Sequence, residues 1–254
     1  MKNVYVKIVA NKCKNKYNYI KYMKILAIIP ARSGSKGIKN KNIKIFRKKP
    51  LIHWSIDIAK KCKKINRIIC STDCQIIANK AKESGAEIPF LRPKDISQDL
   101  STDYEFIKHC LKKIEDIDGY KPDIIIQLRP TYPTRKLEIL ENTIDIFLKN
   151  YNKYDSLRTI IKNEKSPYKM YTINKNTLNP LFKEINNIKE PYNKCRQELP
   201  ETYLHNGYID IIKYDTIMKL KSVTGNTIYP YVMDKKEYHD IDTVSDWELS
   251  EKPV

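Results

Sequence analysis

The six cysteines of this 254-residue chain (Cys13, Cys62, Cys70, Cys74, Cys110 and Cys195) show no paired CxxC spacing, and no apolar leader with a small-residue cleavage site precedes them. A disulfide framework is therefore not expected, and free thiols in a reducing cytoplasm are. No apolar run approaches the roughly 20 residues that a membrane-spanning helix needs, so the chain is expected to be soluble and to have no membrane partner. Internal repeats and low-complexity linkers are also missing, which leaves a single domain with an inserted lobe as the simplest organisation. Neither GxxxxGK[ST] nor GxGxxG occurs, and this removes the commonest ATPase and dinucleotide-binding readings. Histidine is sparse, and His53, His109 and His239 read as structural residues on helices or beside an acidic turn.

Positive charge is abundant instead. The formal net charge is +18, which suits a nucleic acid or a small polyanionic substrate. The lysines run along the whole chain among many Asn, Ile and Tyr, whereas a dedicated nucleic-acid surface needs a localised basic face, so a nucleic-acid partner is not expected. At this length the chain can bury a sizeable core.

Residues 1 to 22 are basic and aromatic without a helical or strand period, and they read as an extension outside the fold. From residue 23 the pattern alternates. "ILAII" reads as a buried strand, "LIHWSIDIAKKC" as an amphipathic helix, "RIICSTD" as a strand, "IIANKAKESG" as a helix closed by Gly85, and "AEIPF" as a short strand. "DYEFIKHCLKKIE" then reads as a helix and "DIIIQL" as a strand. Strands joined by helical crossovers imply an α/β fold with a mostly parallel sheet covered on both faces. "KLEILENTIDIFLKN" continues as a helix and "DSLRTII" as a strand. Residues 162 to 202 carry prolines and few periodic apolar positions, so they read as an excursion from the sheet. Regularity returns at "NGYIDII" and "GNTIYPYVM", and "DIDTVSDWELS" reads as strand then helix.

In an open α/β sheet, ligands bind beyond the carboxyl ends of the strands. The segment "ARSGSKGIKNKN" follows the first strand. Gly34 and Gly37 permit backbone geometry closed to other residues, successive N–H groups can form a nest for phosphate oxygens, and Arg32, Lys36 and Lys41 add positive charge. "STD" (71 to 73), "LRP" (91 to 93) and "RPTYPTR" (129 to 135) also end strands, so all four segments gather at one sheet edge. In "HDIDT", an extended backbone would point Asp240 and Asp242 the same way and Ile241 into the core. Two such carboxylates suit a hard cation such as Mg²⁺ that also binds substrate phosphates.

Taken in order, "ARSGSKGIKNKN", "STD", "LRPKDISQD", "LRPTYPTR", "EPYNKCRQELP", "NGYIDI" and "DIDTVSDW" resemble the CMP-sialic acid synthetases, the acylneuraminate cytidylyltransferases, from about Lys24 to Glu251. The resemblance implies a Rossmann-like three-layer nucleotidyltransferase fold with a dimerisation lobe and a homodimer. It implies that CTP and a nine-carbon 2-keto sugar acid are converted, with Mg²⁺, to the CMP-sugar and pyrophosphate. By the same resemblance Arg32, Ser35, Lys36, Gly37 and Lys41 hold the triphosphate, while Asn42, Asp73, Arg92, Asp99 and Ser101 complete the nucleotide site. Arg129, Thr131, Lys169, Arg196, Gln197, Asn206 and Asp210 face the sugar, with Lys169 and Arg196 crossing from a partner subunit. Asp240 and Asp242 carry the metal, and Arg32, Lys41 and Asp242 act in catalysis. Three positions depart from the pattern: Lys39–Asn40 where SKGxP has proline, Arg129 where many relatives have Gln, and Asp210 where some have Tyr. They leave the acceptor open among sialic, legionaminic, pseudaminic and deaminated neuraminic acids. Two other readings stay in view: a nucleotidyltransferase using another nucleotide, and a noncatalytic nucleic-acid-binding protein.

Overall fold

Aliphatic side chains on both faces of the first strand decide the architecture. In the computed structural model, which describes residues 23–251, β1 (Ile25–Pro30) is buried along nearly its whole length. Its alternate residues serve two separate cores, Ile25, Ala27 and Ile29 on one face and Leu26 and Ile28 on the other. A two-residue hairpin, β2 (Ile45–Phe46) and β3 (Lys49–Pro50), leads into α1 (Leu51–Lys61). Then follow β4 (Arg67–Ser71), α2 (Gln75–Ser84), α3 (Asp103–Asp118), β5 (Ile124–Gln127), α4 (Leu137–Lys149) and β6 (Ser156–Lys162).

Between β6 and the strand that returns to pair with it, the chain makes two small hairpins, β7 (Tyr171–Asn174) with β8 (Thr177–Pro180) and β9 (Glu184–Ile185) with β10 (Ile188–Lys189). They expose Met170, Tyr171, Ile173, Leu178, Leu181 and Phe182. The long β11 (Tyr203–Lys213), α5 (Tyr214–Met218), β12 (Ile228–Val232) and α6 (Val244–Glu251) complete the described chain. The expectation for residues 1 to 22 lies outside the described residues.

The six strands run in the order β12-β6-β11-β5-β1-β4, and only β11 is antiparallel to its neighbours. Ile52 and Ile56 of α1, Ile77 of α2 and Ile144 and Phe147 of α4 pack on one face, and Ile107 and Leu111 of α3 with Ile217 of α5 on the other. This is the three-layer arrangement expected from the alternating pattern. Pro230 lies within β12, where the edge position leaves its missing N–H harmless.

Two expected strands do not form. "AEIPF" contributes a single bridge, Glu87 to Ile69, before Pro89 removes the next donor. The residues before α6 are irregular because their N–H groups are taken elsewhere. Ile241 donates to the Thr131 carbonyl, and Asp242 and Thr243 donate to the Asp246 carboxylate at the start of the helix. A third apolar cluster, Ile38, Phe46, Leu51, Ile241 and Trp247, ties that C-terminal segment to the loop after β1. Among the described residues, no helix is long and apolar enough to cross a membrane.

Candidate active site

The loop after β1 is fastened at both ends. Asp73, beyond β4, accepts the Ser33 N–H at 2.7 Å and the Ser33 hydroxyl. Burial works to raise the Asp73 pKa and is outweighed by these Ser33 bonds, so the carboxyl lies below its ordinary range. Asn42 donates its amide to the Arg32 carbonyl at 3.0 Å. Gly34 adopts a left-handed φ of 71°, a conformation that costs glycine little. Gly37 has a different reason to be glycine: a Cβ there would lie 2.1 Å from the Asp242 carbonyl oxygen. The two backbones therefore meet, and Lys41 locks the junction by donating to Ile241 O at 2.9 Å and to Asp242 Oδ1 at 2.8 Å.

The opposite wall comes from the ends of β4 and β5 and the start of α3. Arg92 is buried, with its guanidinium donating to the Ser71 hydroxyl at 3.0 Å and to the Ser71 carbonyl, 4.7 Å from the Phe106 ring centre. Burial lowers its pKa from the ordinary arginine value. Arg129 is clamped between Asp103 and Asp210, the latter at 2.7 Å. Asp210 is itself buried. Burial pushes its carboxyl up, but His205 at 2.8 Å and Arg129 outweigh this and leave it below the usual range. A capping box between Thr102 and Glu105 fixes the start of α3 and with it Ser101 and Asp103.

Between these walls lies a cavity of about 430 Å³. Arg32, Ser35, Lys36, Gly37, Lys41, Asn42, Arg92, Ser101, Arg129, Thr131 and Asp242 line it, so the structure gathers these expected site residues from opposite ends of the described chain. Asp99 stands beside them, bridging Arg32 at 2.8 Å and Lys36 at 2.6 Å. Those two cations hold its pKa below the usual carboxylate range.

Other expected residues are elsewhere. Asp73 sits behind the first loop with its carboxylate spent on Ser33. Asn206 is buried in the irregular part of β11, its amide oxygen accepting from Thr159 at 2.6 Å and Tyr208 N–H at 3.0 Å, so its side chain does not face the cavity. Asp210 reaches the cavity only through Arg129. Lys169 lies between β6 and β7, and Arg196 and Gln197 line a separate cavity of about 320 Å³ with Lys162, Ser166 and Glu201. Gln98, Asp103 and Phe106 line the main cavity without having been singled out. The TxxE pattern at Thr102–Glu105, a helix-start signature just after "LRPKDISQD", was the available signal for Asp103.

Among the described residues, no group of three or more His, Cys, Asp or Glu forms a metal cluster. The Asp240–Asp242 pair nevertheless fits a hard cation that takes its remaining ligands from phosphate and water. Asp240 Oδ1 is buried without a hydrogen-bond partner. Burial and the nearby Asp242 raise the Asp240 pKa, against the Thr131 and Tyr132 side chains and Lys41, which lower it. A cation beside the pair removes both penalties.

A family model described as Cytidylyltransferase matches residues 26–240 of this chain. The chain is 32% identical over 232 residues to the CMP-N,N'-diacetyllegionaminic acid synthase of Legionella pneumophila, covering 91% of this chain and 96% of that protein. It is 29% identical over 229 residues to the N-acylneuraminate cytidylyltransferase of Escherichia coli O18:K1:H7, covering 89% of this chain and 51% of that protein. The chain thus spans about half the length of that relative. The solved structure of a CMP:2-keto-3-deoxy-manno-octonic acid synthetase complexed with CTP matches with a TM-score of 0.66 at 14% identity, over 90% of this chain and 97% of that one. That likeness shows the shared nucleotidyltransferase fold.

Proposed function

This chain belongs to the cytidylyltransferase family, and from that premise we propose that it transfers CMP from CTP to the anomeric hydroxyl of a nine-carbon 2-keto sugar acid and releases pyrophosphate. The observation that carries the reading is the junction at Lys41. One ammonium bonded to both Ile241 O and Asp242 Oδ1 joins the cationic loop to the Asp240–Asp242 segment, of which Asp242 lines the cavity and Asp240 does not.

The reaction needs the sugar hydroxyl in line with departing pyrophosphate, so catalysis is mostly alignment and neutralisation of charge. Arg32, Ser35, Lys36 and the amides around Gly37 receive the triphosphate, whose oxygens take the place that the Asp99 carboxylate now holds beside Arg32 and Lys36. Lys41, largely enclosed at 12% side-chain exposure, sits nearest the reacting phosphorus. Asn42, Arg92 and Ser101 face the cytidine, and Asp73 serves that site by holding the loop. Arg129 and Thr131 turn toward the sugar. Mg²⁺ held by Asp240 and Asp242 neutralises charge on the phosphate oxygens when bound. The exposed apolar residues between β6 and β11 support a homodimer in which the partner subunit's Lys169 and the partner subunit's Arg196 complete the sugar site. Unpaired thiols at Cys62, Cys70, Cys74, Cys110 and Cys195 support a cytoplasmic enzyme.

The test is pyrophosphate release from CTP with Mg²⁺ and a panel of sialic, legionaminic, pseudaminic and deaminated neuraminic acids, with GTP, UTP and ATP in parallel. Release with CTP and at least one acid is expected. Lys41→Ala and Asp242→Ala should each lower turnover by about 10²–10³-fold, the usual loss when a charge-stabilising group is removed from a transition state. Silence across the panel, preference for another nucleotide, or full activity in both variants refutes the reading.

A further inference from the structure

Behind the cavity wall stands a buried arginine that bonds to no carboxylate. Arg135 is 6% exposed, and its guanidinium donates to three neutral oxygens on three elements. Nε reaches the Tyr208 carbonyl on β11 at 2.9 Å, Nη1 the Ser55 hydroxyl on α1 at 3.0 Å, and Nη2 the Arg129 carbonyl after β5 at 3.0 Å. The Tyr132 and Tyr208 rings lie 5.7 and 5.2 Å from its guanidinium carbon. Among the described residues it forms no ion pair. Burial pushes its pKa down to about 10, so it remains charged at neutral pH.

A buried charge held only by neutral acceptors is costly, and an apolar side chain would fill the same volume for less. What an apolar side chain cannot do is bind three chain segments with one planar fork. The Arg129 carbonyl accepts from both Arg135 and Ser55, the latter at 3.1 Å. Two residues further on, the Thr131 carbonyl accepts the Ile241 N–H at 3.0 Å. The backbone that Arg135 holds is therefore the backbone that carries Arg129 into the cavity and anchors the Asp240–Asp242 segment.

We propose that Arg135 is a positioning residue for the transfer step: its three bonds set the backbone of residues 129 to 134, and through it the places of Arg129, Thr131 and the Asp240–Asp242 pair, without contact with either substrate. The proposal rests on the cytidylyl-transfer reading. The loop that receives the triphosphate has its own fastenings in Asp73 and Asn42, neither of which touches Arg135, besides its junction with Asp242 at Gly37 and Lys41. Loss of Arg135 should therefore affect the chemical step far more than CTP capture.

The experiment compares wild type, Arg135→Ala and Arg135→Lys in steady-state pyrophosphate release, with and without methylguanidinium. The R135A slot adjoins a cavity of about 380 Å³ bounded by Phe46, Trp54, Ile58 and Pro133, which gives the small cation access. In R135A, kcat should fall about 10²-fold, the usual cost of misplacing a reacting group by about 1 Å. Its KM for CTP should stay near the wild-type value, and methylguanidinium should restore most of the lost kcat. R135K keeps the charge but not the fork, so it should share the kcat defect, and if R135A does not fold, R135K alone decides on the same split. A KM for CTP that rises while kcat holds, or full activity, or a kcat loss in R135A that methylguanidinium leaves unchanged, overturns the proposal. A silent wild type removes the cytidylyl-transfer reading and this proposal with it, whereas an active wild type with unaffected variants removes this proposal alone.

Discussion

Replacing Gly37 with alanine adds one methyl group at the point where the loop after β1 meets the Asp242 backbone. That methyl would stand 2.1 Å from the Asp242 carbonyl oxygen and 3.3 Å from its carbonyl carbon, where ordinary contact begins near 3.4 Å. The obstacle is backbone, so no rotamer change relieves it, and the two segments must separate by about 1 Å. A displacement of that size between reacting groups costs about 10²-fold in rate. Overpacking of this kind costs about 1–3 kcal/mol of stability, and each kcal/mol is about 2–4 °C in Tm for a domain near this size. Gly34→Ala is the control. Its left-handed φ of 71° costs an alanine about 1 kcal/mol, but the nearest atom to the new methyl is the Arg32 side chain at 3.9 Å. The assay is pyrophosphate release paired with thermal melts. Gly37→Ala should lose about two orders of magnitude in kcat/KM with a modest fall in Tm, and Gly34→Ala should lose far less activity. Near-wild-type turnover in Gly37→Ala refutes the claim that the close approach of loop and acidic segment builds the site.

Asp240→Asn should raise the Tm of metal-free protein at neutral pH while abolishing Mg²⁺-supported turnover. Burial raises the native pKa of this carboxyl, so its contribution to stability is full below the unfolded value of about 3.9 and is lost as pH rises through the native one. An unchanged or lower Tm contradicts this. Asp210 has the opposite sign: its native pKa is depressed, so its stabilisation is present above about 3.9 and drains as pH falls through the native value. Asp210→Asn should flatten the acid limb of unfolding followed by circular dichroism, and it should cost about 3 kcal/mol at neutral pH because Arg129 loses its buried carboxylate partner and keeps only the part-exposed Asp103. An acid limb as steep as wild type rejects the assignment.

The periodicity of the sequence determined the layers. "ILAII" is apolar at every position and "DIIIQL" carries three consecutive isoleucines, which only a strand covered on both faces can use, and the helices between them carry one apolar stripe each. Local chemistry also showed that Arg32, Lys36 and Lys41 end a strand and that Asp240 and Asp242 flank a core residue, Ile241. Only the tertiary structure decided what those groups meet. Gly34 and Gly37 look alike in the sequence, yet one serves its own φ and the other makes room for a carbonyl two hundred residues away. The resemblance assigned Arg129, Asp210 and Asn206 alike to the sugar, but the irregular stretch of β11 turns Asn206 inward and leaves Asp210 holding Arg129 from behind. Arg135 lay within "RPTYPTR", but nothing in the sequence signalled that it turns inward to three carbonyl and hydroxyl partners while Arg129 faces the cavity. Spacing along a chain fixes which way a side chain points. Which distant segment comes to face it depends on how the apolar faces of the whole chain pack together.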